Sequence, residues 1–251
     1  MRLPALLILA LAAAGCSHAP VRDAQVVRAA LASPARSADD RTRDLRDHPD
    51  AVLGLAGFRR GDTVADVFGG GGYYSEILSE VVGPEGRVLL VNNPPYAAFA
   101  KDALATRFAD GRLPNVRRSV VPNEALGLGR NALDGALIVM SYHDLYYVDP
   151  AQGWPAVDAG QFIDQIVAAL KPGGKLLIVD HVAREGSGSA DAQMLHRIDE
   201  TFAVRDFKAH GLDFVGSIAV LRNPDDDRTK NVFDPTIRGK TDRFVHLYRK
   251  P

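Results

Sequence analysis

Two kinds of hydrophobic pattern alternate along most of the chain. Short apolar runs at residues 63–67, 87–91, 116–121, 136–140 and 175–180 predict strands, and helically spaced stretches at 49–55, 75–82, 96–108 and 161–170 predict helices between them. The strands read as apolar runs rather than strict alternations, as expected when helices cover both faces of a parallel sheet. After a helical stretch at 191–210, two further strands are predicted at 214–221 and 243–248. Repeated βα units imply right-handed crossovers, hence an α/β, doubly wound, mostly parallel sheet. No internal repeat is evident.

The junction after the first strand carries the clearest chemistry. Asp66 closes an apolar run, Val67 and Phe68 follow, and Gly69, Gly70, Gly71 and Gly72 lead into Tyr73-Tyr74-Ser75 and a helix. Four successive glycines are entropically costly, so close approach of the backbone to a ligand is a better explanation than a turn alone. The new helix offers unpaired N–H groups at the same place. A second turn, Leu170-Lys171-Pro172-Gly173-Gly174, precedes the fifth strand.

Composition narrows the setting. The chain has 251 residues, 46% hydrophobic and 24% charged with a formal net charge of −1, so no overall basic field argues for a nucleic-acid partner. The apolar stretch from Leu3 to Ala14, after Met1-Arg2, is too short to span a bilayer. Closed by Ala13-Ala14-Gly15, it reads as an export signal covering residues 1–15. Cys16, the only cysteine, follows directly, and the junction resembles the lipobox of bacterial lipoproteins, although Ala13 stands where leucine is usual. Simple secretion is the plainer alternative. The expectation is an exported lipoprotein on the periplasmic face of a bacterial membrane, held by a lipid on Cys16. Residues 16–48 then form a tether and charged lead-in with a helix at 21–31, and residues 49–251 form the domain.

In the order of its motifs the chain resembles the class I S-adenosylmethionine-dependent methyltransferases. The glycine loop, the second strand ending at Asn92, Leu133-Asp134 before the fourth strand, the Leu170–Gly174 turn and the final pair of strands all fall in that family's order. More narrowly, Gly70-Gly71-Gly72-Tyr73-Tyr74, Tyr142-His143-Asp144-Leu145 and residues 231–243 resemble exported bacterial proteins described as predicted methyltransferases. The resemblance implies a Rossmann-like seven-stranded sheet with a C-terminal antiparallel hairpin and S-adenosylmethionine as cofactor. Asp66, Gly69, Gly70, Gly72, Tyr73, Asn92, Glu124 and Ser141 are expected around the donor. Two departures weaken donor binding: Phe68 replaces the first glycine of the family loop, and Asn92 replaces a carboxylate that grips both ribose hydroxyls.

Asn93-Pro94-Pro95-Tyr96 spells the box of amino-group methyltransferases, but it follows the second strand rather than the fourth. It is read as a rigid loop opening a helix. The fourth-strand position holds Ser141, Tyr142, His143 and Asp144. His143 is the candidate base, since an ordinary imidazole titrates near neutral pH, and Asp144 either orients it or caps a helix. His181, after Asp180 at the end of the fifth strand, lines the substrate pocket or caps the strand. No His-x-x-x-His or paired-cysteine spacing supports a metal. Glu124 reaches the adenine or is a surface carboxylate, and the charged insertion at 223–242 is read as a solvated loop in preference to a substrate lid. Two functions follow: a methyltransferase acting on a small-molecule or cell-envelope acceptor, or a methyltransferase-fold ligand-binding lipoprotein without that activity. The second is motivated by the cytosolic origin of the donor.

Overall fold

The computed structural model describes residues 19–251, with side chains from Gln25 onward; the leader and Cys16 lie outside the described residues. Seven strands form one sheet: β1 (Thr63–Val67), β2 (Arg87–Asn92), β3 (Val116–Val120), β4 (Leu133–Val139), β5 (Leu170–His181), β6 (Asp213–Ile218) and β7 (Arg243–Arg249). Their order is β3-β2-β1-β4-β5-β7-β6. The first five strands run parallel, and β7 lies antiparallel between β5 and β6, pairing Leu177 with Leu247 and His181 with Arg243. This is the α/β Rossmann-like methyltransferase sheet with its C-terminal hairpin. From β1 the chain winds outward to β2 and β3, then returns to β4 on the other side. A crevice therefore opens at the carboxyl ends of β1 and β4, where doubly wound sheets bind ligands.

Alternation along each strand divides the core into two layers. Ala65, Val67, Ala136, Ile138, Leu176 and Ile178 face α7 (Ala159–Ala169) through Phe162, Ile163 and Ile166. Val64, Leu137, Leu177 and Val245 pack with Val52 and Leu53 of α3 (Pro49–Ala56) and Ile77 and Leu78 of α4 (Tyr73–Val82). Asp134, at the start of β4, accepts from the Thr63 amide at 2.9 Å and the Lys171 ammonium at 2.6 Å. One carboxylate thus ties the beginnings of three adjacent strands. Gly135 must be glycine because a Cβ there would lie 2.1 Å from the Phe58 ring.

Three segments differ from their sequence expectations. The lead-in, expected to be helical at 21–31, carries a second helix that the sequence reading did not place: after α1 (Ala19–Leu31), residues Ala38–Asp47 form α2, capped by the Ser37 hydroxyl on the Asp40 amide at 3.0 Å. Its carboxylates are spent on the domain, Asp40 on Arg107 at 2.7 Å and the buried Asp47 on Arg243 at 2.8 Å. The helix expected over 96–108 is two, α5 (Pro94–Phe99) and α6 (Lys101–Arg107), broken at Ala100. The stretch 191–210 is likewise split into α8 (Ala192–Leu195) and α9 (Glu200–Ala209), because His196 takes a left-handed conformation. Among the described residues no helix is long and apolar enough to cross a membrane.

The insertion at 223–242 corrects the expectation of a solvated loop. Asp226 is buried and pairs both its oxygens with the fully buried Arg197 guanidinium, at 2.8 and 3.0 Å, and also accepts the Asp242 amide at 2.6 Å. Arg197 additionally donates to the carbonyls of Lys230 and Val182. Val232 is buried, and its amide bonds to the Leu195 carbonyl at 3.2 Å. Removing one member of such a pair strands the other charge in the interior. Asp226→Ala is expected to destabilise the protein by about 3–5 kcal/mol in urea unfolding. A loss below about 1 kcal/mol, the range of a solvent-exposed pair, would contradict this anchoring.

Candidate functional site

The sheet ends at the crevice are shaped by two left-handed residues. Phe68, just after β1, has φ 55° and still donates its amide to Val91 at 2.7 Å. Met140, just after β4, has φ 54° and donates to Val179 at 2.7 Å. Each lets the chain turn sharply off the sheet without losing its last ladder bond. Phe68 stands where the family carries a glycine and adopts a conformation glycine favours. Its ring stacks on Tyr96 at 4.6 Å and packs against Phe162, so aromatic contact offsets a backbone strain of roughly 1–2 kcal/mol.

The glycine loop rests on Asp66. This carboxyl is buried and accepts the Ser75 hydroxyl at 2.6 Å, and a Cβ at Gly69 would lie 2.4 Å from it. Asp66 therefore supports the loop from beneath. Gly70 has φ 55° with open space where a Cβ would stand, so the loop's outer face is free for close approach. Asn92, expected at a ribose, instead braces the loop: its Oδ1 accepts the Gly70 amide at 3.0 Å, and its Nδ2 donates to the Gly70 carbonyl at 2.9 Å. A carboxylate could make only the first bond. Tyr73 turns to α2, donating to Asp44 at 2.6 Å beneath the Arg43 guanidinium. Ser141 is buried beside the β4 end, and Glu124 is exposed in a turn after β3.

The acceptor-side residues converge. Asp180, fully buried at the end of β5, accepts the His143 amide at 2.8 Å, its Nδ1 at 2.7 Å and the His181 amide at 2.7 Å. His143 Nε2 lies 3.2 Å from Asp144 Oδ1, while the Tyr96 hydroxyl donates to Asp144 Oδ2. Burial disfavours the imidazolium, but the Asp144 and Asp180 carboxylates outweigh it and push the His143 pKa up to about 10. Burial also opposes the Asp144 charge, and His143 overcomes it to hold that carboxyl well below its usual range. The structure thus gives His143 a proton at neutral pH rather than the free lone pair expected of a base. His181, with Nδ1 2.7 Å from the Thr241 hydroxyl, goes the other way: burial and the neighbouring His143 charge lower its pKa well below the ordinary value.

These groups open on a cavity of about 420 Å³ lined by Tyr96, Phe99, Met140, His143, Asp144, Tyr147, Trp154, His181, His196, Val232 and Phe233. Asp144 caps no helix; it lies within the 3-10 turn His143–Tyr146 with its carboxylate turned to this cavity. His143, Asp144 and His181 are therefore brought together, while Asp66, the glycines and Asn92 lie at the carboxyl ends of β1 and β2 and are not among the residues lining this cavity. Asn93 caps α5 through the Tyr96 amide at 3.0 Å, as a loop opening a helix should. Sequence reasoning missed the side chain of Tyr96, which bridges Phe68 and Asp144, and the wall supplied by Trp154, His196 and Phe233. The unusual Asn-Pro-Pro-Tyr spelling was the available signal for Tyr96.

Asp66 carries a consequence for stability. Burial pushes its pKa up to about 6, although Ser75 hydrogen bonds oppose the shift. The native state therefore holds this proton where the unfolded chain has released it, and stability contributed here falls as pH rises from about 4 through 6. Asp66→Asn removes the titration. Urea unfolding is expected to show the variant gaining on wild type by about 2–3 kcal/mol between pH 4 and pH 7.5; a pH-independent difference would contradict the buried, raised carboxyl.

No protein-family model matches the chain. It is 30% identical over 130 residues to the ubiquinone/menaquinone biosynthesis C-methyltransferase UbiE of Pseudomonas putida, a match covering 51% of this chain and 45% of that enzyme. The homologous enzyme of Hydrogenovibrio crunogenus is 28% identical over 130 residues, covering 51% and 46%. The matches thus span about half the length of these relatives. Among solved structures, an S-adenosylmethionine-dependent methyltransferase from Aquifex aeolicus superposes with a TM-score of 0.59 at 18% identity, covering 92% of this chain and 98% of that one. With the sheet order and strand-end loop already described, these likenesses show that the chain has the class I S-adenosylmethionine-dependent methyltransferase fold and is similar, over about half its length, to C-methyltransferases of that kind.

Proposed function

We propose that the protein is an S-adenosylmethionine-dependent methyltransferase acting on a small molecule with an aromatic body and an ionisable hydroxyl or amine. The observation that carries this reading is that the stack of Phe68 on Tyr96 links the end of the β1 turn, with its open-faced Gly70, to an aromatic-walled cavity in which His143 lies between two carboxylates. The donor would lie against Gly69 to Gly72 with Asn92 beside it. Its sulfonium supplies an activated methyl group, so catalysis is mainly orientation and exclusion of water. The imidazolium of His143, held between Asp180 and Asp144, does not withdraw a proton, so an acceptor hydroxyl would enter as its anion and an amine in its neutral form. Trp154, Tyr147 and Tyr96 offer ring faces to the acceptor's body, and the exposed Phe99 and Phe233 extend that apolar wall to solvent. The C-methyltransferase name of the similar enzymes fits an electron-rich ring as acceptor. The leader proposed at residues 1–15, followed by Cys16, extends the proposal to an acceptor in the cell envelope.

Calorimetric titration of the full chain with S-adenosylmethionine and S-adenosylhomocysteine tests the reading. Micromolar binding is expected. Gly70→Val should abolish it, as a side chain would occupy the open face and force a strained φ. Absence of binding at millimolar donor, with the chain folded by circular dichroism, would overturn the proposal and favour a ligand-binding protein on a methyltransferase fold.

A further inference from the structure

The geometry points to a divalent transition-metal site formed by His143 Nε2, Asp144 Oδ1 and His196 Nδ1 at the floor of the aromatic cavity. These three ligand atoms all lie within 4.8 Å of one another. Asp144 Oδ1 is 3.2 Å from His143 Nε2 and 3.5 Å from His196 Nδ1. Donors placed about 2.1 Å from a tetrahedral zinc ion are separated by roughly 3.4 Å, so the two measured edges already match a coordination sphere. Two imidazoles and one carboxylate suit zinc, iron, manganese or cobalt, whereas magnesium and calcium take all-oxygen sets.

The surroundings of each ligand support this assignment. The Nδ1 of His143 is held by the buried Asp180 carboxylate at 2.7 Å, which fixes the ring and aims Nε2 at the cavity. This carboxylate–histidine pairing is the usual outer support of a metal-bound imidazole. Asp144 is oriented in the same manner, its second oxygen taken by the Tyr96 hydroxyl and its first left facing both rings. His196 supplies the independent observation: its Nδ1 is buried and meets Asp144 Oδ1 only at an ion-pair distance of 3.5 Å, without a well-formed hydrogen bond. A buried nitrogen so weakly satisfied is one that a coordinated ion would satisfy in full.

His196 is also presented with some strain. It is a non-glycine residue at φ 54°, ψ 47°, directly before the buried Arg197 and after Leu195, whose carbonyl accepts the Val232 amide. Its ring is braced between Tyr147 at 4.6 Å and Phe233 at 4.9 Å. Such conformations persist where the surroundings over-determine them, and they cluster at functional sites. An ion bound here replaces the proton shared by His143 and Asp144. Its remaining coordination positions face the cavity, open to water or to an oxygen of a bound molecule.

The test uses the full chain, stripped with a chelator and titrated with zinc chloride by calorimetry and with cobalt chloride by visible absorption. One ion per chain is expected, with ligand-field bands for cobalt. His196→Asn keeps a residue type that tolerates the left-handed conformation, and Asp144→Asn removes the charge from a separate segment. Each should weaken zinc binding by about 100-fold and abolish the cobalt bands, with metal-free circular dichroism like wild type. His210→Ala, at a histidine paired with Asp164 outside the cavity, should bind as wild type does. No binding at millimolar zinc, or binding unchanged in both site variants, would overturn the site, as would loss in His210→Ala. Titrating His196→Asn with S-adenosylhomocysteine separates this outcome from failure of the methyl-transfer reading, because donor binding at Gly70 does not require the metal ligands.

Discussion

The hydrogen bonds to the Asp180 carboxylate organise the site on which the functional reading depends. A carboxylate with no exposure at the end of β5 is costly to desolvate, and it is retained because three donors converge on it. Two of them belong to His143, on the turn after β4, and the third to His181 on its own strand. Asp180 therefore clamps the β4 turn to the β5 end and sets the direction of the His143 ring. With His143 fixed, Asp144 and Tyr96 follow, and Tyr96 carries the constraint across to Phe68 at the end of β1. The acceptor cavity and the glycine loop are thus coupled by a continuous chain of contacts.

The two halves of the site solve different physical problems. On the donor side the backbone does the work: Gly70 is open on one face and bound on the other by both groups of Asn92. The loop is consequently preorganised before any ligand arrives, and a ligand that wants Asn92 competes with two hydrogen bonds. On the acceptor side, side-chain charge dominates. His143 sits between Asp144 and Asp180 in a buried setting, so its charge is decided by neighbours rather than by its ordinary pKa. That reverses the role its residue type suggests, from proton acceptor to fixed positive charge or metal ligand.

Much of this was legible in the sequence because it rests on local pattern. Four of the five parallel strands are announced by their apolar runs, the β1 turn by its glycines, and the β5 entry by Lys171-Pro172-Gly173-Gly174; β3, with Arg117, Arg118 and Ser119 at the sheet edge, is the exception. Features built from distant partners were not legible. The α2 helix is mostly charged and reads as a tether until Asp40 and Asp47 find Arg107 and Arg243. The insertion at 223–242 reads as solvated until Asp226 meets Arg197. The His143–Asp144–His196 cluster escapes a spacing rule because its ligands come from two separate turns rather than one helix. Asn92 could be flagged as a departure, but its actual partner is a backbone, which leaves no trace in residue identities.

The most direct test of the account is a crystal structure of the chain with S-adenosylhomocysteine. The account requires the nucleoside along Gly69 to Gly72 beside Asn92, with the sulfur facing the cavity floored by His143 and Asp144. A ligand found elsewhere, or crystals grown at saturating ligand in which both Asn92–Gly70 hydrogen bonds persist and the loop face stays empty, would contradict it.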